Sequence, residues 1–212
     1  MLTICGHSED ILDQDAISFF DNLVLNIERG LQNIRQRNQI MRLQGLYRAL
    51  MQQADVVLRA QTVPDMLFGT CEKLVQETPF NAIYLRKPNA DGVMDVLAST
   101  GSGAAALQNV ISVVAEDARD QLIVRAWLTQ KTAIENDLLG NARLAEYHPF
   151  LRAHRWHSAL VTPVRRGGEL WSVMGFVCED HDVFDPQTVE LCERVAELLG
   201  RGLDELDNKQ RL

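Results

Sequence analysis

Three of the chain's five histidines, His148, His154 and His157, fall within ten residues. Imidazole nitrogens bind zinc, iron and haem iron, so this is the sharpest metal-capable group in the sequence, with Glu146 or Cys178 as further ligands. The spacing matches no standard site, and Pro149 breaks the helical face between the first and second histidine. No metal is expected, and no cofactor is assigned. Arg152, Arg155, Arg165 and Arg166 stand nearby, so the stretch reads as a solvated basic loop that can also hold an anion. Cys5, Cys71, Cys178 and Cys192 are scattered without CxxC spacing. They read as buried thiols of a cytoplasmic protein. No nucleophile has a base beside it, so enzyme activity is not expected.

The elements that must position these residues follow from periodicity. A hydrophobic content of 46% supports a packed core, and the net charge of −8 argues against nucleic-acid binding. No apolar run approaches the roughly 20 residues that cross a bilayer, and residues 1–15 lack the pattern of a signal peptide. Helical spacing is expected over 16–60, 64–76, 117–130 and from Pro186 onward, with an irregular helix from Leu144 to Arg155 interrupted by Pro149. Strands are expected at 80–87, 93–100, 132–136, 158–165 and 170–179, with turns at Asp91-Gly92 and Gly167-Gly168. That order predicts an α+β fold: a mainly antiparallel five-stranded sheet with helices on both sides, preceded by a long N-terminal helix.

The first half of that helix carries a heptad pattern. Phe20, Ile27, Ile34 and Met41 take one seam position, and Val24, Leu31, Asn38 and Gly45 the other. A polar Asn38 in an apolar seam specifies register and partner number. The expectation is a homodimer through Phe20, Val24, Ile27, Leu31, Ile34, Asn38 and Met41. Arg37 and Arg42 would then face their copies and repel. After Gly45 the stripe shifts to Leu46, Leu50, Ala54, Val57 and Leu58, as if the helix turned to its own domain.

Head and tail share a pattern at a constant offset of 172 residues, from Asp13 and Asp185 to Leu31 and Leu203, with Arg-Gly-Leu in register. Leu2-Thr3-Ile4-Cys5 parallels Gly175-Phe176-Val177-Cys178, and Gln210 matches Asn38. Such self-similarity points to a tandem array. Residues 1–45 then read as the end of a preceding module and a linker helix, 46–206 as one whole module, and 207–212 as the start of the outgoing helix.

Trp127-Leu-Thr-Gln-Lys-Thr-Ala-Ile-Glu-Asn136-Asp137 resembles the "W-x-T-G-K-x-x-x-x-x-D" stretch of GAF domains. Ser158 to Val164 and Trp171 to Val177 around a glycine turn resemble that family's paired central strands, and Phe184-Asp185 with the apolar stripe to Leu199 resembles its closing helix. The resemblance implies a bacterial sensory domain, usually dimeric. It would respond to a small-molecule effector and pass a signal along helices to a covalently linked output domain, a diguanylate cyclase or a histidine kinase. A ligand-free dimerisation module is the alternative. By the same resemblance the pocket lining falls on Tyr84, Trp127, Asn136, Tyr147, His148, Arg152, His154, Trp156 and Ser158. There the aromatic rings offer flat walls, Arg152 a bidentate anion clamp and Asn136 a paired donor and acceptor. The family's cyclic-nucleotide signature is absent, as is a cysteine beside a histidine for bilin attachment. The clustered cysteines of its methionine sulfoxide reductases are missing too.

Overall fold

The computed structural model describes residues 14–106, 111–116 and 118–210. The chain divides into two units, Met1–Met41 and Arg42–Leu212. Helix α1 (Gln14–Arg59) is 46 residues long. In the first unit Ile27, Leu31, Ile34, Asn38 and Met41 are exposed, and Phe20 and Val24 are half-buried. Leu2 to Cys5 and Asp13 of the head copy lie outside the described residues, as do the side chains of Ala54, Val57, Leu58 and Gln210.

The second unit is a five-stranded sheet with helices. α2 (Val63–Glu77) starts where Thr62 accepts the Asp65 N–H, with a proline in its first turn. β1 (Phe80–Pro88) and β2 (Met94–Gly101) form a hairpin whose turn is held by Asn89 Oδ1, which accepts from the Asp91 and Val93 amides at 3.0 and 3.1 Å. α3 (Leu122–Thr129) leads to the three-residue β3 (Ala133–Glu135). A 3-10 turn (Ala142–Tyr147) and α4 (His148–His154) precede the hairpin of β4 (Ser158–Arg166) and β5 (Glu169–Cys178). α5 (Pro186–Gln210) closes the unit, its first turn capped by Asp185 Oδ1 accepting from Thr188 N at 2.9 Å.

The strand order is β2-β1-β5-β4-β3, and each neighbouring pair is antiparallel. Alternation along each strand feeds two cores. Ile83, Leu85, Leu160, Val164, Met174 and Phe176 face α2, α5 and Leu46 and Ala49 of α1. Ala82, Tyr84, Ala159, Val161, Val173 and Val177 face α3 and the irregular segments. A sheet covered on both faces explains why β4 and β5 read as nearly continuous apolar runs.

Three local expectations change. The helix expected from residue 117 begins at Leu122, because Ala118 to Gln121 form a turn in which Gln121 N donates to Ala118 O at 3.0 Å. Pro149 starts α4 instead of interrupting it: the preceding turn is 3-10, and proline fits the first helical turn, whose amides need no partner. Arg42 does not face a copy of itself. It is buried in the second unit, and its Nη1 donates to Val183 O at 2.8 Å. The turn of α1 toward its own domain thus comes at Arg42, three residues before Gly45.

Candidate functional site

On the irregular face of the sheet, α3, β3 and the 142–151 segment enclose a cavity of about 120 Å³. Its floor is β1, β4 and β5, through Tyr84, Arg86, Ala159 and Val177. Tyr84 lies flat across the sheet because its cross-strand partner is Gly175. A Cβ on Gly175 would sit 2.1 Å from the Tyr84 ring. Trp156 runs nearly parallel to Tyr84, with ring centroids 6.4 Å apart and planes at 11°. Phe150 meets Trp156 edge-on at 5.1 Å. The Trp156 Nε1–H is taken by Ser102 O at 2.9 Å, so the indole presents its apolar body to the cavity.

The polar lining is engaged mostly with itself. Gln121 Nε2 donates to Tyr147 Oη at 3.0 Å. Asn141 Nδ2 donates to Glu135 Oε2 at 2.8 Å. Arg125 Nη2 donates to Ile134 O at 3.1 Å, and Asp120 pairs with Arg143 at 2.8 Å. Arg86 is buried, at 1% exposure. Burial pulls its pKa below the usual arginine value, with Tyr84 acting the other way. Burial also pushes the Tyr84 hydroxyl up to about 12, so it is neutral near pH 7.

Of the nine residues expected to line a pocket, the structure brings Tyr84, Tyr147 and Trp156 together around this cavity. The other six are placed elsewhere. Trp127 is half-buried and packs on the core beneath α3. Asn136 clips the β5–α5 connection: its Oδ1 accepts from Phe184 N at 3.0 Å, and its Nδ2 reaches Phe184 O at 3.5 Å. Ser158 Oγ is spent on Asp180 O at 2.7 Å. Arg152 is exposed on α4, and His148 Nε2 lies 3.4 Å from Asn141 O. His154 packs its ring against Phe150 at 4.5 Å. The three clustered histidines do not converge: His157 stacks on His181 with ring centroids at 4.6 Å, away from the other two. Among the described residues no group of three His, Cys, Asp or Glu side chains is placed to hold a metal.

Sequence reasoning missed Arg86, Gln121, Glu135 and Asn141. For Arg86 a signal existed. Strand alternation puts Ala82, Tyr84 and Arg86 on one face, so an expected pocket residue at 84 carries 86 with it.

A family model for the GAF domain matches residues 60–204, more than half of the chain. The chain belongs to the GAF family. Solved GAF structures agree in fold. The GAF domain of a phosphoenolpyruvate-protein phosphotransferase from Coxiella burnetii is 17% identical, with a TM-score of 0.64 over 80% of this chain and 99% of that one. Free methionine-R-sulfoxide reductase from Neisseria meningitidis, in complex with its substrate, is 15% identical, with a TM-score of 0.62 over 78% and 91%. A bacteriophytochrome from R. palustris is 14% identical, with a TM-score of 0.57 over 77% of this chain and 38% of that one. No curated protein sequence matches significantly. In this GAF domain Cys71, Cys178 and Cys192 belong to the core on the opposite face of the sheet from the cavity. Burial raises all three thiol pKa values, that of Cys71 to about 12. Protonated, buried thiols are poor nucleophiles.

Proposed function

We propose that this GAF domain is a non-enzymatic sensor. A small molecule occupies the cavity, and the state of the cavity reaches an output domain outside this chain through α1 and α5. GAF domains are generally sensory or regulatory. One observation carries the finer proposal. The cavity wall at Glu135 adjoins Asn136, Asn136 holds the backbone of Phe184, and the neighbouring Val183 carbonyl holds buried Arg42 of α1. A ligand that moves β3 therefore moves the segment on which α1 is anchored, by direct hydrogen bonds.

The rest of the proposal follows the resemblance and the heptad. The protein is a homodimer through Phe20, Val24, Ile27, Leu31, Ile34, Asn38 and Met41. It is cytoplasmic and bacterial, and its output is a diguanylate cyclase. Among the described residues no helix is long and apolar enough to cross a membrane. The cavity's small volume of about 120 Å³ favours the second reading, a ligand-free dimerisation module, and one assay separates the two. Purified protein is heated with a diverse small-molecule panel. A ligand at 100 times its Kd adds about 2.7 kcal/mol and raises Tm by roughly 2–4 °C per kcal/mol in a domain of this size. A panel that leaves Tm unmoved leaves the spacer reading. For the dimer, Ile27→Lys with Ile34→Lys should sediment as a monomer. Wild type already monomeric at tens of micromolar refutes that part.

A further inference from the structure

We propose that the cavity takes a small uncharged aromatic carbonyl compound, its oxygen accepting a hydrogen bond from the Tyr84 hydroxyl and its ring packed against Phe150 and Trp156. This deepens the sensor reading and rests on it.

The Tyr84 hydroxyl selects the ligand's polar atom. Tyr84 lines the cavity and is only 8% exposed, yet among the described residues its hydroxyl makes no hydrogen bond. Burial and the charge of Arg86 are what act on its titration. Buried polar groups as a rule have a partner, and the sheet does not supply one here. A Cβ on Gly175 would sit 2.1 Å from Tyr84 Cζ, so the hydroxyl-bearing end of the ring lies over β5. Ala159 and Val177, which complete that floor, carry no polar side-chain atom and pair with each other across β4 and β5. An oxygen arriving from the cavity side is the acceptor that the hydroxyl lacks. With its pKa pushed up to about 12, the hydroxyl keeps its proton and donates.

The remaining polar lining selects against ions and against a second donor. Asp120 pairs with Arg143, and Glu135 accepts from Asn141 Nδ2 at 2.8 Å and from Asp137 N at 3.4 Å. Arg86 is engaged as well. A charged ligand would give up its hydration without gaining a free counter-charge. A ligand O–H or N–H would compete for carboxylates already in use. A carbonyl oxygen, which only accepts, fits what is left.

Size and surface select the body. About 120 Å³ is near the roughly 150 Å³ apolar cavity that accepts benzene. The Tyr84 and Trp156 centroids, 6.4 Å apart, are closer than the roughly 7 Å that a ring inserted between them needs at about 3.5 Å per contact. The ligand ring therefore lies beside that pair, among Phe150, Leu138 and Leu144.

The test is calorimetric titration of the full chain with acetophenone and with α-methylstyrene, which has the same shape but a methylene group in place of the oxygen. Benzoate and benzylamine are the charged controls. Acetophenone should bind and raise Tm, and the two ions should bind at least about tenfold more weakly. Tyr84→Phe should weaken acetophenone about fivefold, the worth of one neutral hydrogen bond, and leave α-methylstyrene unchanged. If Tyr84→Phe fails to fold, the Tyr84 Cζ resonance of the wild-type protein decides, and it should shift with acetophenone and not with α-methylstyrene. Equal effects of the variant on both neutral probes, or an unmoved resonance, overturn the inference and leave the cavity a ligand site. Ions that bind as tightly as acetophenone also overturn it. Binding of neither neutral probe overturns it too, and the sensor reading falls with it only if the wider panel leaves Tm unmoved.

Discussion

In an Asn136→Ala variant the Phe184 amide loses its acceptor, the Asn136 Oδ1 at 3.0 Å. Phe184 is 4% exposed, so water cannot replace the lost partner without opening the segment. A buried donor left unsatisfied costs about 1–3 kcal/mol. The second side-chain contact, Nδ2 to Phe184 O at 3.5 Å, is at the limit of hydrogen-bond geometry and adds little. The bond from Asp182 N to the Asn136 backbone carbonyl, at 3.2 Å, survives any side-chain change. The expected loss is therefore about 2 kcal/mol, or roughly 4–8 °C in Tm at 2–4 °C per kcal/mol. Urea titration followed by tryptophan fluorescence measures it. Asn136→Asp keeps an acceptor for Phe184 N and should fall between wild type and alanine. Hydrogen exchange should show the loss concentrated in residues 180–185 and the first turn of α5. An alanine variant within 0.5 kcal/mol of wild type would show that the connection is not held from β3, and the proposed route from cavity to α1 would lose its middle link.

Other outcomes follow from single contacts. Gly175→Ala should destabilise by about 1–3 kcal/mol and displace Tyr84 from the cavity floor, seen as a changed Trp156 emission, since the new Cβ would sit 2.1 Å from the Tyr84 ring. Glycine-to-alanine changes within α1 should have opposite signs. Gly30→Ala meets nothing within 4 Å and should stabilise by about 0.5–1 kcal/mol, whereas Gly45→Ala puts a Cβ 2.5 Å from Glu77 O and should destabilise; equal shifts in denaturation midpoint would refute the close approach. A thiol reagent at pH 8 should leave Cys71, Cys178 and Cys192 unmodified until denaturant is added, because all three are buried. Cys71 rises from 9.0 to about 12 on folding, so below pH 9 both states are protonated and stability is flat. Between pH 9 and 12 the unfolded thiol ionises first, so urea midpoints should fall as pH rises through that window.

Most elements were legible from local signals. Turn chemistry at Asp91-Gly92 and the proline-capped starts of α2 and α5 mark boundaries that the folded chain keeps. The cavity was harder, because its residues are chosen by tertiary geometry. Asn136 has the same amide whether it faces a ligand or a backbone, and its placement next to Phe184 depends on a contact 48 residues away. Arg152 advertised charge in a basic stretch but lies on the outer side of α4. Arg86 falls within the strand expected at 80–87, and alternation alone places it on the same face as Tyr84. The heptad places Arg42 at a flanking position facing its copy, whereas the folded chain buries it against the Val183 carbonyl, and nothing in its own residue type marks that difference.

The centre of the sheet is made by strands far apart in the chain: Tyr84 pairs with Gly175. Everything that walls the cavity from Ile111 to Phe150 lies inside the long loop that this pairing closes. Closure entropy grows only logarithmically, so even doubling such a loop costs about 0.6 kcal/mol. The frame of two hairpins, α2 and α5 can therefore stay fixed while the wall lengthens, shortens or changes composition. The fold separates the stretch that walls the cavity from the frame that keeps the domain folded, and that stretch can be rewritten without rebuilding the sheet beneath it.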